Sequence, residues 1–286
     1  CIRDSVYTPG EKSVAKSYRK WSKSYEAAQI KRLESYAKNG EAGKAFQDYR
    51  RRPYVKGSED LFFGNQLTEA DIGVLLLNQQ EWAEKMDDAL VGDLLDIFEV
   101  SAQDLAAELG SAAISTQDPA VLGFLSEQRI QLTEGHTSTL AGRVRSALLK
   151  PFAGNENMAT LQEHVRDALP ELTEELRRIF GTREARALTI ARTETAHASN
   201  GSRFMQMKKS GVQTTEWVTS GDQRVRGAPG TAPTNHSHYE LDGKEVPLGE
   251  TFARRLKYPS DPEAEAGDVI NCRCVTRAGK RTEPTT

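Results

Sequence analysis

Two short motifs near the end of the chain contain the residue types that hold metals. His236-Ser-His238 and Cys272-Arg-Cys274 are each spaced i, i+2. In an extended segment that spacing puts both side chains of a motif on one face. Two thiolates and two imidazoles are a sufficient tetrahedral zinc set, so His236, His238, Cys272 and Cys274 are the expected ligands. A disulfide within Cys-x-Cys would be strained, which favours metal or free thiols over a bridge. A structural zinc would also supply cohesion to a loop-rich module with few large apolar residues. Cys-x-Cys is an uncommon zinc element, however. The alternative is two buried cysteines packing as small hydrophobes, with solvent-facing histidines.

A second constellation lies on Ala187-Leu-Thr-Ile-Ala-Arg-Thr-Glu-Thr-Ala-His-Ala-Ser-Asn200. Small residues at 187, 191, 196 and 198 would let a helix here lie close against a neighbour. Glu194 and His197, at i and i+3, can touch, and Arg192, Thr193 and Asn200 add polar groups. An acid–base pair is conceivable, but a polar network locking the helix onto the following strands is the preferred reading. A third group interleaves Tyr18, Trp21 and Tyr25 with Lys16, Arg19, Lys20 and Lys23, and Arg50-Arg51-Arg52 follows. Such a pattern can pair phosphates and stack bases. An amphipathic helix with a solvated basic face is the plainer reading.

The elements that carry these residues follow from pattern and composition. The 286 residues suit one large or two ordinary domains. The longest clean apolar run, 72–77, falls far short of the roughly 20 residues of a membrane span. The start, Cys1-Ile-Arg-Asp, is no apolar leader, and without Met it reads as a processed or partial polypeptide. Three cysteines are too few for a disulfide-rich secreted module. The net charge of −3 rules out a globally basic nucleic-acid binder, yet it conceals opposed segments. Residues 12–56 carry 13 Lys/Arg against 4 Asp/Glu, and 66–116 carry 11 Asp/Glu against Lys85 alone.

Periodicity predicts helices over 11–38, from Thr68 onward with a weak point at Gly92, and from a Ser101 cap to Leu109. Others are predicted from Asp118-Pro119 towards Lys150, through Leu172, Leu176 and Ile179 to Gly181, and from a Thr182 cap to Ser210. After Gly211 the pattern changes to a strand around Trp217 and recurrent Gly, Pro and Asp turns. The fold class is therefore α+β: a mostly helical N-terminal body, then a small loop-rich module with short antiparallel strands.

The C-terminal motifs, in order, resemble the bacteriophage Mu F-like head-morphogenesis (minor capsid) family. They are Ile190-Ala-Arg-Thr-Glu194 with Ala198 and Asn200, Gly211-Val212, Trp217, Asp222-Gln-Arg-Val-Arg226, His238-Tyr-Glu-Leu-Asp-Gly243, Tyr258-Pro-Ser-Asp-Pro262 and Asn271-Cys-Arg-Cys274. The resemblance implies a variable helical region over 1–116 and the family domain over 117–277, helical to 210 and strand and loop from 211. A disordered tail over 278–286 completes the division. It implies a polar network of Arg192, Thr193, Glu194, Asn200, Asp222, Arg226 and Asp242. Where relatives carry a cysteine pair before Leu-Asp-Gly, this chain has His236 and His238, keeping a four-ligand count. The implied protein is a minor component of a tailed-phage or prophage head, in the capsid interior after assembly in host cytoplasm. Its partners would be portal and major capsid or scaffold protein, with packaged double-stranded DNA as a further one and no membrane. The alternative is an enzyme or toxin-linked module, ADP-ribosyltransferase-like or metal-dependent, with Arg192, Glu194 and His238 as its candidates.

Overall fold

The computed structural model describes residues 8–39, 75–124, 139–147, 161–181 and 183–279. Its long helices are α1 (Pro9–Asn39), α2 (Gln79–Leu109), α3 (Leu161–Gly181) and α4 (Arg183–Lys209). Helical stretches at 119–124 and 139–147 lie between α2 and α3. A small module follows, with β1 (Thr214–Val218), β2 (Glu245–Pro247), the one-turn α5 (Ala266–Val269) and β3 (Val275–Ala278). The fold is thus α+β, as the sequence implies. No helix among the described residues is long and apolar enough to cross a membrane.

Helix ends are set by local chemistry. At α1, Thr8 and Glu11 form a reciprocal capping box, Glu11 N donating to Thr8 Oγ1 at 3.1 Å and Thr8 N to Glu11 Oε2 at 2.8 Å. Pro9 occupies the first helical position, where its missing N–H costs nothing. Asn78 caps α2 by accepting from the N–H groups of Gln80 and Glu81. The weak point expected at Gly92 and the second helix expected from Ser101 are corrected: α2 runs unbroken through both. One glycine costs only about 1 kcal/mol in a helix, and the apolar stripe of Met86, Leu90, Leu94 and Phe98 continues past it. Gly110 and Gly211 end α2 and α4 in the left-handed region, with Ser111 N reaching Ala106 O and Val212 N reaching Met207 O. The Asp118-Pro119 start is present, Asp118 Oδ1 accepting from Ala120 N at 2.9 Å. The Thr68 and Thr182 caps fall outside the described residues.

The described chain divides into two compact units that interleave along the sequence. One comprises Lys20–Met86 and Leu132–Arg183. Its core is aromatic: Tyr25 meets Trp82 edge-on at 4.9 Å and Phe180 at 5.6 Å. Trp21 donates its indole N–H to Trp82 O, and Gln29 bridges the backbone of Leu75 and Leu77. Burial pushes the Tyr25 phenol up to about 12.

The other unit comprises Cys1–Arg19, Asp87–Gln131 and Glu184–Thr286. Ser202 of α4 donates to Phe98 O at 2.6 Å, and Gln206 accepts from Ile114 N while donating to Ala112 O. These bonds fasten α4 to α2 and the segment after it. Ala187, Ala191 and Ala198 are buried, as the small-residue pattern requires. The sheet has the order β2-β1-β3 and is antiparallel throughout. Central β1 turns Trp217 inward onto Leu241, Val246, Phe252, Leu256, Cys272 and Cys274. Pairing extends to Ala278 opposite Thr215, and Gly279 N donates to Thr214 O, so the ladder continues past residue 277.

Candidate metal centre

The sheet and its loops bring His238 to the two cysteines. Its Nδ1 lies 3.5 Å from Cys272 Sγ and 3.6 Å from Cys274 Sγ. All three residues are buried, at 1, 3 and 5 % exposure, and both thiols are free. A tetrahedral zinc, with Zn–S near 2.3 Å and Zn–N near 2.0–2.1 Å, separates N from S by about 3.6 Å. A neutral ring nitrogen has one lone pair and can accept only one S–H at a time. Both N···S separations match that spacing, and the trio could hold a metal.

The fourth expected ligand is elsewhere. His236 turns its Nδ1 to Asp268 Oδ2 at 3.0 Å and its Nε2 towards Glu265 at 3.7 Å, forming a separate group. The expected quartet is thus corrected to a trio with His236 beside it. The reason is local. The chain bends at both histidines, burying His238 against the Trp217 ring at 5.2 Å while His236 stays half-buried.

Asp268 joins the two groups and is fully buried on α5. Arg254 holds it with Nε at 3.0 Å and Nη2 at 2.8 Å, and Oδ1 lies 3.4 Å from His238 Nε2. Burial alone would push this carboxyl up. The bonds from Arg254 and His236, with their charges, outweigh it and bring Asp268 down to about 2. At the thiols, Cys272 is held well below its ordinary value, foremost by the hydrogen bond from Cys274 and also by His238, against burial. Cys274 is pushed up by the same bond and by burial.

Two glycines make the loop geometry reachable. A Cβ on Gly227, at φ +78°, would stand 2.3 Å from Ser237 Oγ and 3.1 Å from Ser237 Cα. A Cβ on Gly267 would stand 2.6 Å from His236 Nε2. The His236-Ser-His238 segment is thus closely approached by both glycines, by Gly227 at Ser237 and by Gly267 at the His236 ring.

The family-motif residues divide between framework and local turns. Arg192 Nη1 donates to Asn271 Oδ1 at 3.1 Å, and its Nε lies 3.6 Å from Glu11. Thr193 Oγ1 accepts from Asn271 N at 3.1 Å, and Asn200 Nδ2 donates to Cys274 O at 3.1 Å. Three side chains of α4 thus fasten the Asn-Cys-Arg-Cys strip. Asn271 has φ +58°, a left-handed conformation that asparagine tolerates. Glu194 is buried with His197 Nδ1 at 3.7 Å. Asp222 pairs locally with Arg224 and is lowered to about 2, first by that side-chain bond. Arg226 Nη2 donates to Ile270 O at 2.6 Å, and Asp242 Oδ1 accepts from Thr219 N at 2.7 Å. A cavity of about 790 Å³ adjoins the strip, lined among others by Arg192, Asn200, Arg224 and Arg273.

On α1, Tyr18, Trp21 and Tyr25 are buried, so they offer no face to stacked bases. Lys16, Lys20 and Lys23 are exposed and Arg19 half-buried. Arg50, Arg51 and Arg52 lie outside the described residues. Sequence reasoning missed Asp268 and Arg254. Gly267-Asp268 read as a turn, and nothing in its spacing pointed 30 residues back to His238. The family model described as Phage Mu protein F like protein matches residues 159–277. Comparison with curated proteins and with solved structures gave no match.

Proposed function

Because residues 159–277 belong to the Phage Mu protein F like family, we propose that this chain is a minor structural protein of a tailed-phage or prophage head. In this reading it associates with portal, capsid or scaffold protein and acts in head morphogenesis and DNA packaging or ejection. One observation carries it beyond the family match: the most distinctive motif residues serve as framework. Arg192, Thr193 and Asn200 are all committed to holding the 271–274 strip. Glu194 is buried beside His197, which supports a structural over a catalytic part for it. The exposed lysines of α1 suit phosphate contacts of double-stranded DNA, without base stacking.

The His238, Cys272 and Cys274 trio is read as a zinc site with three protein ligands, the fourth tetrahedral position being left to another group. Its support is the match of both N···S distances to tetrahedral geometry and the seating of both cysteines in the Trp217 cluster.

The experiment is a Glu194→Ala substitution in the producing phage, with head assembly, DNA ejection and NAD turnover measured together. Defective heads with no NAD turnover in either form are expected. NAD turnover in the wild type that disappears in the variant, while heads assemble normally, would overturn the structural reading.

A further inference from the structure

Asp268 lies outside the trio, yet it faces the one ligand whose orientation and tautomer decide whether an ion can bind. His238 can give Nδ1 to a metal only if its proton sits on Nε2. Around Nε2 stand Asp268 Oδ1, within ion-pair reach at 3.4 Å, and Arg226 Nη1, which at 3.4 Å donates to Nε2 when the ring proton is on Nδ1. The arginine has only N–H groups and cannot accept that proton; the carboxylate can. Asp268 is itself fixed: Arg254 grips it with Nε and Nη2, His236 Nδ1 bonds the other oxygen, and Gly267 lets the His236 ring come close. Arg254 reaches this pose at φ +40°, an uncommon conformation for a non-glycine residue.

We propose that Asp268 is the positioning carboxylate of a metal centre held by His238, Cys272 and Cys274, and that His236 and Arg254 hold Asp268 rather than the ion. The proposal rests on the metal reading above. It gives the second histidine of the His-x-His motif a part distinct from ligation: it braces the carboxylate that orients the first. Carboxylate–histidine–metal arrangements of this kind typically change metal affinity by about 10- to 100-fold when the carboxylate is lost.

The test uses full-length wild type, Cys272→Ser, Asp268→Asn and His236→Ala, each loaded with Zn²⁺ or Co²⁺. Affinity is read by chelator competition, and ligand identity by the thiolate-to-Co²⁺ charge-transfer band. Wild type is expected to bind one ion per chain and Cys272→Ser to lose it. Asp268→Asn should keep the charge-transfer band but bind about 10- to 100-fold more weakly. His236→Ala should keep the same band and stay much closer to wild type. Imidazole ¹H–¹⁵N spectra of the loaded wild type give a readout that does not depend on any variant folding. They should place the His238 proton on Nε2 in a hydrogen bond. Asp268→Asn binding as tightly as wild type, a His238 proton on Nδ1, or His236→Ala losing the ion as fully as Cys272→Ser would each overturn the proposal. A wild type that takes up neither metal would instead sink the metal reading beneath it, so the two failures are told apart.

Discussion

Replacing Gly227 by alanine tests how tightly the histidine loop is clamped. Two costs arise. At φ +78° an alanine pays the left-handed penalty of about 1–2 kcal/mol. Its Cβ would also lie 2.3 Å from Ser237 Oγ and 2.8 Å from Ser237 Cβ, closer than real Cβ atoms come. Ser237 cannot simply step aside, because His238 N and Tyr239 N both donate to Arg226 O, at 2.9 and 3.1 Å. Forcing a methyl into such a site costs about 1–3 kcal/mol, giving about 2–5 kcal/mol for the single change. Urea unfolding followed by circular dichroism measures it. A Gly227→Ala/Ser237→Gly double variant separates the terms, since removing the serine side chain relieves the overlap and leaves the backbone strain. The expected coupling is about 1–3 kcal/mol in the relieving direction. A single variant within about 0.5 kcal/mol of wild type, or a double variant with no relief, would refute the reasoning.

Other perturbations follow from the same geometry. Gly92 is exposed inside α2 with nothing within 4 Å of an added Cβ, so Gly92→Ala should stabilise by about 1 kcal/mol and raise the melting temperature. Changing Lys16, Lys20 and Lys23 to alanine should weaken binding to duplex DNA and lower the log–log salt slope by about 2.7, at roughly 0.9 per lost phosphate contact. Filter binding across a salt series measures it, and an unchanged slope would remove α1 from any DNA interface. Asn271→Ala should cost about 1–2 kcal/mol, through the strained φ of +58° and the lost bond from Arg192. Denaturant unfolding reads it, with a cost near zero counting against the framework role of the motif.

Much of the helical layout was legible because it rests on local rules. The Asp118-Pro119 start, the Gly181 end and the Gly211 stop each follow from one or two residues. Gly92 misled because its local cost is small beside the apolar stripe that runs past it. The aromatics of α1 were ambiguous in sequence, since a buried stripe and a base-stacking surface have the same spacing; packing with Trp82 and Phe180 decides between them for Tyr25. The metal-ligating types were visible, but i, i+2 spacing assumes extended backbone on both motifs. The bends at 236 and 238 break that assumption, and His236 goes to Asp268 instead. Asp268 itself was hidden because its partners, Arg254, His236 and His238, are joined only by the folded loops.

The proposal that this chain is a head component is tested most directly by mass spectrometry of purified heads from a producing strain. The chain should be present in the particles at a copy number well below that of the major capsid protein. Heads that contain the other structural proteins and lack this chain at every stage, procapsid included, would contradict it.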